Sequence, residues 1–290
     1  MDNAGGKYPI RIIPRLDIKG PNLVKGVQME GLRVLGSPYQ FAGKYYKDGA
    51  DELIYMDVVA SLYGRNSLLS LIERTAKDIF IPLTVGGGIR SVEDVRDVLR
   101  AGADKVSVNT AALKRPVLVR EIAETFGSST LVVSIEAKKT KAGEYEAYAD
   151  YGREATGMDV VQWAEKVESL GAGEVLITSI DNEGSGRGFD LELTKLISRA
   201  LKIPVIASGG AGRVSDFYDS VMVGEADAVS AASFFHYDAY QNLDHEGSNN
   251  EGNREFLQKG RQYFGIESDS VESLKHGLIE KSVPCRDSRQ

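Results

Sequence analysis

A chain of 290 residues, 42% hydrophobic and 27% charged, has the size and composition of a globular protein that fills its own core, as one large α/β barrel or as two small domains. The net charge of −7 argues against broad binding of nucleic acid or an acidic membrane surface, and the absence of a membrane-length apolar run or an apolar leader over residues 1–8 points to a cytoplasmic protein. One cysteine, Cys285, and three scattered histidines, His236, His245 and His276, leave neither an internal disulfide nor a cysteine- or histidine-based metal site, and no cofactor is indicated.

In chain order, short apolar and β-branched runs cover about 10–16, 52–57, 81–85, 105–108, 130–136, 174–178, 205–208 and 226–231. Amphipathic helical patterns lie between them, for example over 92–101 and 160–170. Eight β-then-α units predict a parallel sheet, and eight is the closed-barrel number, so the expected fold is a single (β/α)8 TIM barrel. An open doubly wound sheet is the alternative, but no dinucleotide fingerprint follows the first run.

The chain also repeats internally. GADELIYMDVVAS from residue 49 echoes GAGEVLITSIDNEG from 171, IPLTVGGGIRS from 81 echoes IPVIASGGAGR from 203, and LDIK from 16 echoes IEAK from 135. Two half-barrels, about 10–125 and 126–237, account for this and place the first strand opposite the fifth. Residues 238–270, rich in Gly, Asn, Ser and charge, read as an insertion after the eighth strand, either a solvated excursion or a lid on the catalytic face. A last helix over 271–280 and a tail to 290 complete one barrel domain spanning 1–290.

Strand parity selects the candidate chemistry. Arg11, Ile13, Arg15 and Asp17 share one face of the first strand, while Ile12 and Leu16 share the other, so the charged face belongs inside the barrel. Val132, Ser134 and Glu136 do the same on the fifth. Asp17 and Glu136 are then carboxylates on opposite walls at the top, suited to general acid and base work, or else loop caps paired with Lys19 or Lys138. Glycine-rich strand ends, Gly87 and Gly88 with Asn109 and Thr110, and Gly209 and Gly210 with Ala232 and Ser233, form two related anion-binding edges, or simply tight turns. Two such edges fit a substrate with a phosphate at each end. Arg11, Glu52, Lys105 and Glu174 occupy first positions of their strands and ring the floor, with Asn109 and Thr178 above Lys105 and Glu174 and Thr178 among the substrate-binding candidates. An ordinary rim of surface salt bridges is the plainer reading. Arg11 and Asp17 lie ~16 Å apart along the axis, allowing for a strand tilt of about 36°.

Together LDIK, VGGGI, ADKVSVNTAA, TFGSS, GAGEVLITSID and ASGGAG resemble the cyclase subunit of imidazole glycerol phosphate synthase, or a close paralogue, over roughly 10–237 and the last helix. The resemblance implies a heterodimer with a glutaminase subunit. Ammonia made there from glutamine enters through the barrel floor. At the top it reacts with a bisphosphorylated ribulosyl-formimino aminoimidazole carboxamide ribonucleotide, giving imidazole glycerol phosphate and aminoimidazole carboxamide ribonucleotide. The family's two catalytic aspartates fall on Asp17 and Glu136, and its ammonia gate on Arg11, Glu52, Lys105 and Glu174. Its phosphate contacts fall on Gly88, Asn109, Glu183, Gly184, Gly210, Ala232 and Ser233, its mobile-loop lysine on Lys25, and a residue supporting the glutaminase contact on Asp104.

The sequence departs from that pattern at Glu136 and Glu183, which stand for aspartates, and at Arg15, which stands for a small neutral residue. Arg15 is expected one layer below Asp17, depressing a carboxylate pKa or pairing with Glu136. These changes and the insertion leave open a paralogue that delivers ammonia to another acceptor, such as a surface sugar receiving an amidino group, and a silent barrel that only binds the glutaminase.

Overall fold

The computed structural model describes residues 8–60, 68–243 and 265–286. Strands β1 (Arg11–Lys19), β4 (Leu53–Asp57), β5 (Leu83–Gly86), β6 (Lys105–Val108), β7 (Leu131–Lys139), β10 (Glu174–Ser179), β11 (Val205–Ser208) and β12 (Ala228–Ala231) pair in parallel in that order. The ring closes where β12 pairs with β1, and β10 pairs with both β7 and β11. The chain is therefore a (β/α)8 barrel, with β1 and β7 four strands apart on opposite walls.

Two hairpins were not foreseen. β2 (Asn22–Val27) and β3 (Glu30–Gly36) extend β1 antiparallel, and β8 (Tyr145–Ala149) and β9 (Glu154–Asp159) extend β7 in the same way. They are related as the repeats are, each following the first strand of its half. Their tips match too: Gln28 and Met29 have φ of 50° and 64°, Asp150 and Tyr151 of 52° and 55°. Two consecutive left-handed residues suit the twist of a tight hairpin turn. The tips come together over the barrel mouth, where a Cβ on Gly152 would lie 2.8 Å from Met29 Sδ.

Helices α1 (Pro38–Lys47), α2 (Leu69–Asp78), α3 (Val92–Arg100), α4 (Thr110–Lys114), α5 (Val117–Phe126), α6 (Val160–Ser169), α7 (Leu191–Ala200), α8 (Val214–Met222), α9 (Ser233–Asn242) and α10 (Val271–Glu280) surround the barrel. None among the described residues is long and apolar enough to cross a membrane. Their starts are written locally. Ser91 and Asp94 form a reciprocal capping box on α3, Asp159 accepts the first free amides of α6, and Asp190 accepts Leu193 N on α7. Gly102 and Gly171, with φ of 115° and 104°, turn the chain after α3 and α6 back toward a strand. At the barrel floor Asp51, Asp104 and Asp227 each accept an amide from the start of a neighbouring strand, at Ile12, Leu83 and Val205.

Strand alternation divides the core in two. Ile12, Leu16 and Ile18 face outward into the large apolar layer between strands and helices. Ile13 faces inward with Ile54, Val132, Leu176, Ile206 and Ala228, an apolar plug across the lumen. The expected parity on β1 and β7 therefore holds, and the plug separates a charged floor from a polar mouth. Residues 238–242, read from sequence as the start of the insertion, continue helix α9 instead. That helix is buried on nearly every side, which masks any amphipathic period. Residues 244–264 lie outside the described residues. Just beyond them Glu267 N donates to Gly212 O at 2.7 Å, so the chain re-enters at the carboxyl end of the strands.

Candidate active site

The floor residues form a closed ring. Arg11 bonds Glu52 and Glu174, each at 2.8 Å, and Lys105 bonds the same two carboxylates at 3.1 and 2.6 Å. Their side chains are 8–25% exposed, too buried for an ordinary rim of surface pairs. Burial opposes charge on Glu174, but hydrogen bonds and attraction from Arg11 and Lys105 hold its pKa below the usual range, and the same pairing raises that of Arg11. The ring is thus a closed set of paired charges across the floor.

Asp17 and Glu136 lie at the other end, on opposite walls, and both are buried. Neither pairs with Lys19 or Lys138 among the ion pairs of the described residues. Arg15 Nε donates to Asp17 Oδ1 at 2.9 Å, the Tyr151 hydroxyl donates to Oδ2 at 3.0 Å, and Lys25 Nζ stands 3.8 Å from Oδ2. Glu136 Oε2 accepts Gly152 N at 2.8 Å and Asn109 Nδ2 at 3.0 Å. These surroundings drive the two acids apart. Burial would raise Asp17, but the charges of Arg15 and Lys25 and the hydrogen bonds from Arg15 and Tyr151 lower it below the ordinary carboxylate value. Burial dominates at Glu136 and raises it to about 7, despite the more distant charge of Arg15. One carboxylate is held ionised while the other titrates near neutrality, a separation suited to acid–base work.

A cavity of about 650 Å³ opens beside Glu136. Gly87, Gly88, Asn109 and Thr110 line it, and Arg90 and Lys114 add positive charge. Gly209, Gly210, Ala232 and Ser233 meet Glu183 and Gly184 around a crevice of only about 10 Å³, room for about one water. Lys25 there bonds the Glu183 carboxylate. The glycines are required by the fold. Gly210 has φ 111°, and a Cβ there would lie 2.1 Å from Gly188 O. Gly210→Ala is expected to lower stability by about 2 kcal/mol or more, through a disfavoured backbone and a clash. Gly20→Ala, also at positive φ but with open space around it, is the milder control. Denaturant unfolding of both variants checks this, and equal loss would show that the contact with Gly188 is immaterial.

The family model described as "Histidine biosynthesis protein" matches residues 11–241. The chain belongs to that family. A curated member from Legionella pneumophila, named imidazole glycerol phosphate synthase subunit HisF, is 61% identical over 208 residues, covering 72% of this chain and 98% of that protein.

Against the family pattern, the structure resolves what Arg15 does. It is 2% exposed and pairs with Asp17, not with Glu136; its second contact is Thr178 Oγ1 at 3.4 Å. The longer Glu136 is held instead by Asn109 and Gly152. Lys25, expected on a mobile loop, is a buried residue of strand β2 because that loop folds as a hairpin against β1. Asp104 is exposed at the floor, one oxygen accepting Leu83 N at 2.9 Å. Tyr151 and Gly152 were missed from sequence. The Asp-Tyr-Gly triplet at 150–152 between two short strands was the available turn signal.

Proposed function

We propose that this family member is the ammonia-using cyclase, a lyase, of imidazole glycerol phosphate synthesis, forming imidazole glycerol phosphate and aminoimidazole carboxamide ribonucleotide from the phosphoribulosyl-formimino precursor. One observation carries this reading: two inward carboxylates displaced in opposite directions stand above a closed ion ring, on the axis of one barrel. The identity of 61% to a protein named as this subunit favours it over another ammonia acceptor or a silent barrel. A glutaminase docks at the floor, where Asp104 is exposed, and ammonia crosses the ring and the apolar plug without protonation by bulk water. The Gly87–Thr110 edge takes one phosphate. The second phosphate draws Lys25 from Glu183 and occupies the Gly184–Gly210–Ser233 edge. The acidic net charge and single half-buried cysteine suit a cytoplasmic enzyme.

The direct test is turnover of that precursor by the purified chain with ammonium salt; a well-folded chain that gives none would overturn the reading. The pH dependence is a second test. With Asp17 as the ionised base and Glu136 as the protonated acid, kcat/KM referred to free ammonia should fall above about pH 7 as Glu136 loses its proton. Glu136→Gln should lower the rate and abolish that limb; an unchanged profile would remove Glu136 from the acid role. Stability should follow the same group. Its folded pKa lies above the unfolded 4.5, so its contribution is complete below that value and is lost as pH rises through about 7.

A further inference from the structure

Asp17 does not reach the cavity. It is fully buried and absent from the cavity wall, with Arg15 on one oxygen and the Tyr151 hydroxyl on the other. Tyr151 does line the cavity, so one residue both borders the space a substrate would fill and bonds the carboxylate. We propose that Tyr151 is a further catalytic residue, which touches the substrate and relays a proton between it and Asp17. This rests on the cyclase reading.

The step balances without an oxidant or a further reactant. The substrate gives a proton to the phenol oxygen and keeps the bonding electron pair, while the phenol passes its own proton to Asp17. The phenol is neutral before and after, and the reverse transfer restores the carboxylate. Burial, with the adjacent Asp17 charge, pushes the Tyr151 pKa well above 10, so the hydroxyl keeps the proton it must hand on.

The turn that carries Tyr151 is built to hold this position. Asp150 and Tyr151 both lie at positive φ, the conformation of a tight hairpin turn, which fixes the direction of the Tyr151 side chain. Asp150 N donates to Thr110 Oγ1 at 2.9 Å, and Gly152 N donates to Glu136 at 2.8 Å. One turn therefore touches both carboxylates and a residue of the cavity edge, although hairpin pairing alone requires none of these three contacts.

The experiment compares the full-length wild type, Tyr151→Phe, Asp17→Asn and the double variant, using the phosphoribulosyl-formimino precursor and ammonium salt. Tyr151→Phe should lower kcat about 10²-fold or more at unchanged KM. Added to Asp17→Asn, it should cause no further loss, because two members of one relay fail as a unit. A kcat within about threefold of wild type, or a change confined to KM, would overturn the relay while inactivity of Asp17→Asn leaves the cyclase reading standing. Losses that multiply in the double variant would likewise reduce Tyr151 to a structural contact. No turnover by the wild type would overturn the cyclase reading, and the relay with it.

Discussion

Asp17→Asn is expected to cut ammonia-dependent turnover to a small residual rate while the barrel stays folded. Asparagine keeps the size of the side chain and one acceptor oxygen, but it is neither anionic nor basic. The loss should be about 10⁴-fold, the upper range for removing a positioned acid–base group. Stability should fall as well, because Arg15, buried and bonded to Asp17 at 2.9 Å, loses the anion that neutralises it. Breaking a buried pair by removing one partner costs about 3–5 kcal/mol, and the remaining acceptor oxygen puts this variant toward the lower value. The wild-type pair should show its own pH signature. The folded pKa of Asp17 is depressed, so its contribution is present above the unfolded value of 3.8 and disappears as the pH falls through the lower folded one. Circular dichroism and a denaturant midpoint separate catalytic loss from unfolding. Undiminished turnover by a folded Asp17→Asn chain would remove Asp17 from the mechanism.

Glu174→Ala should uncouple glutamine use from ammonia use. Arg11 and Lys105 would then share Glu52 alone, leaving the floor with two cations and one anion. The gap admits water where the native ring is closed, so ammonia made by a docked glutaminase can escape or be protonated before it crosses the apolar plug. Turnover with glutamine and the glutaminase subunit should drop about 10-fold or more relative to turnover with added ammonium, a difference of about 1.4 kcal/mol in delivery. On the proposed reading, added ammonium reaches the mouth from solvent and bypasses the ring. The stability cost should be about 1–3 kcal/mol, below that of a fully buried pair because Arg11 keeps a quarter of its side chain exposed. Equal loss in both assays would argue that the ring supports the barrel without gating ammonia.

Much of this site was legible before any fold was known, because parallel strands impose a period of two. Arg11, Ile13, Arg15 and Asp17 had to share a face, and so did Val132, Ser134 and Glu136. The internal repeat then set Asp17 opposite Glu136. The hairpins were not legible. Residues 22–36 and 145–159 carry few of the β-branched runs that mark barrel strands, and they are stable only because β1 and β7 offer edges beyond the barrel's rim. Helix α9 was cut short in the sequence reading for the opposite reason: with both sides buried, it shows no polar face to mark its extent.

By itself, the sequence determined the barrel, its two-fold repeat, the charged floor and the pair of acids, since all four depend on local period and spacing. Only the tertiary structure decided which cation serves which anion. Arg15 sits two residues from Asp17 and joins it, although Glu136 was an acidic candidate across the lumen. Tyr151 reaches Asp17 from 134 positions away because a hairpin folds over the mouth. The pKa separation of the two acids was decided there as well. Desolvation and charge act through space, and both depend on what the closed barrel brings within a few ångströms of each carboxylate.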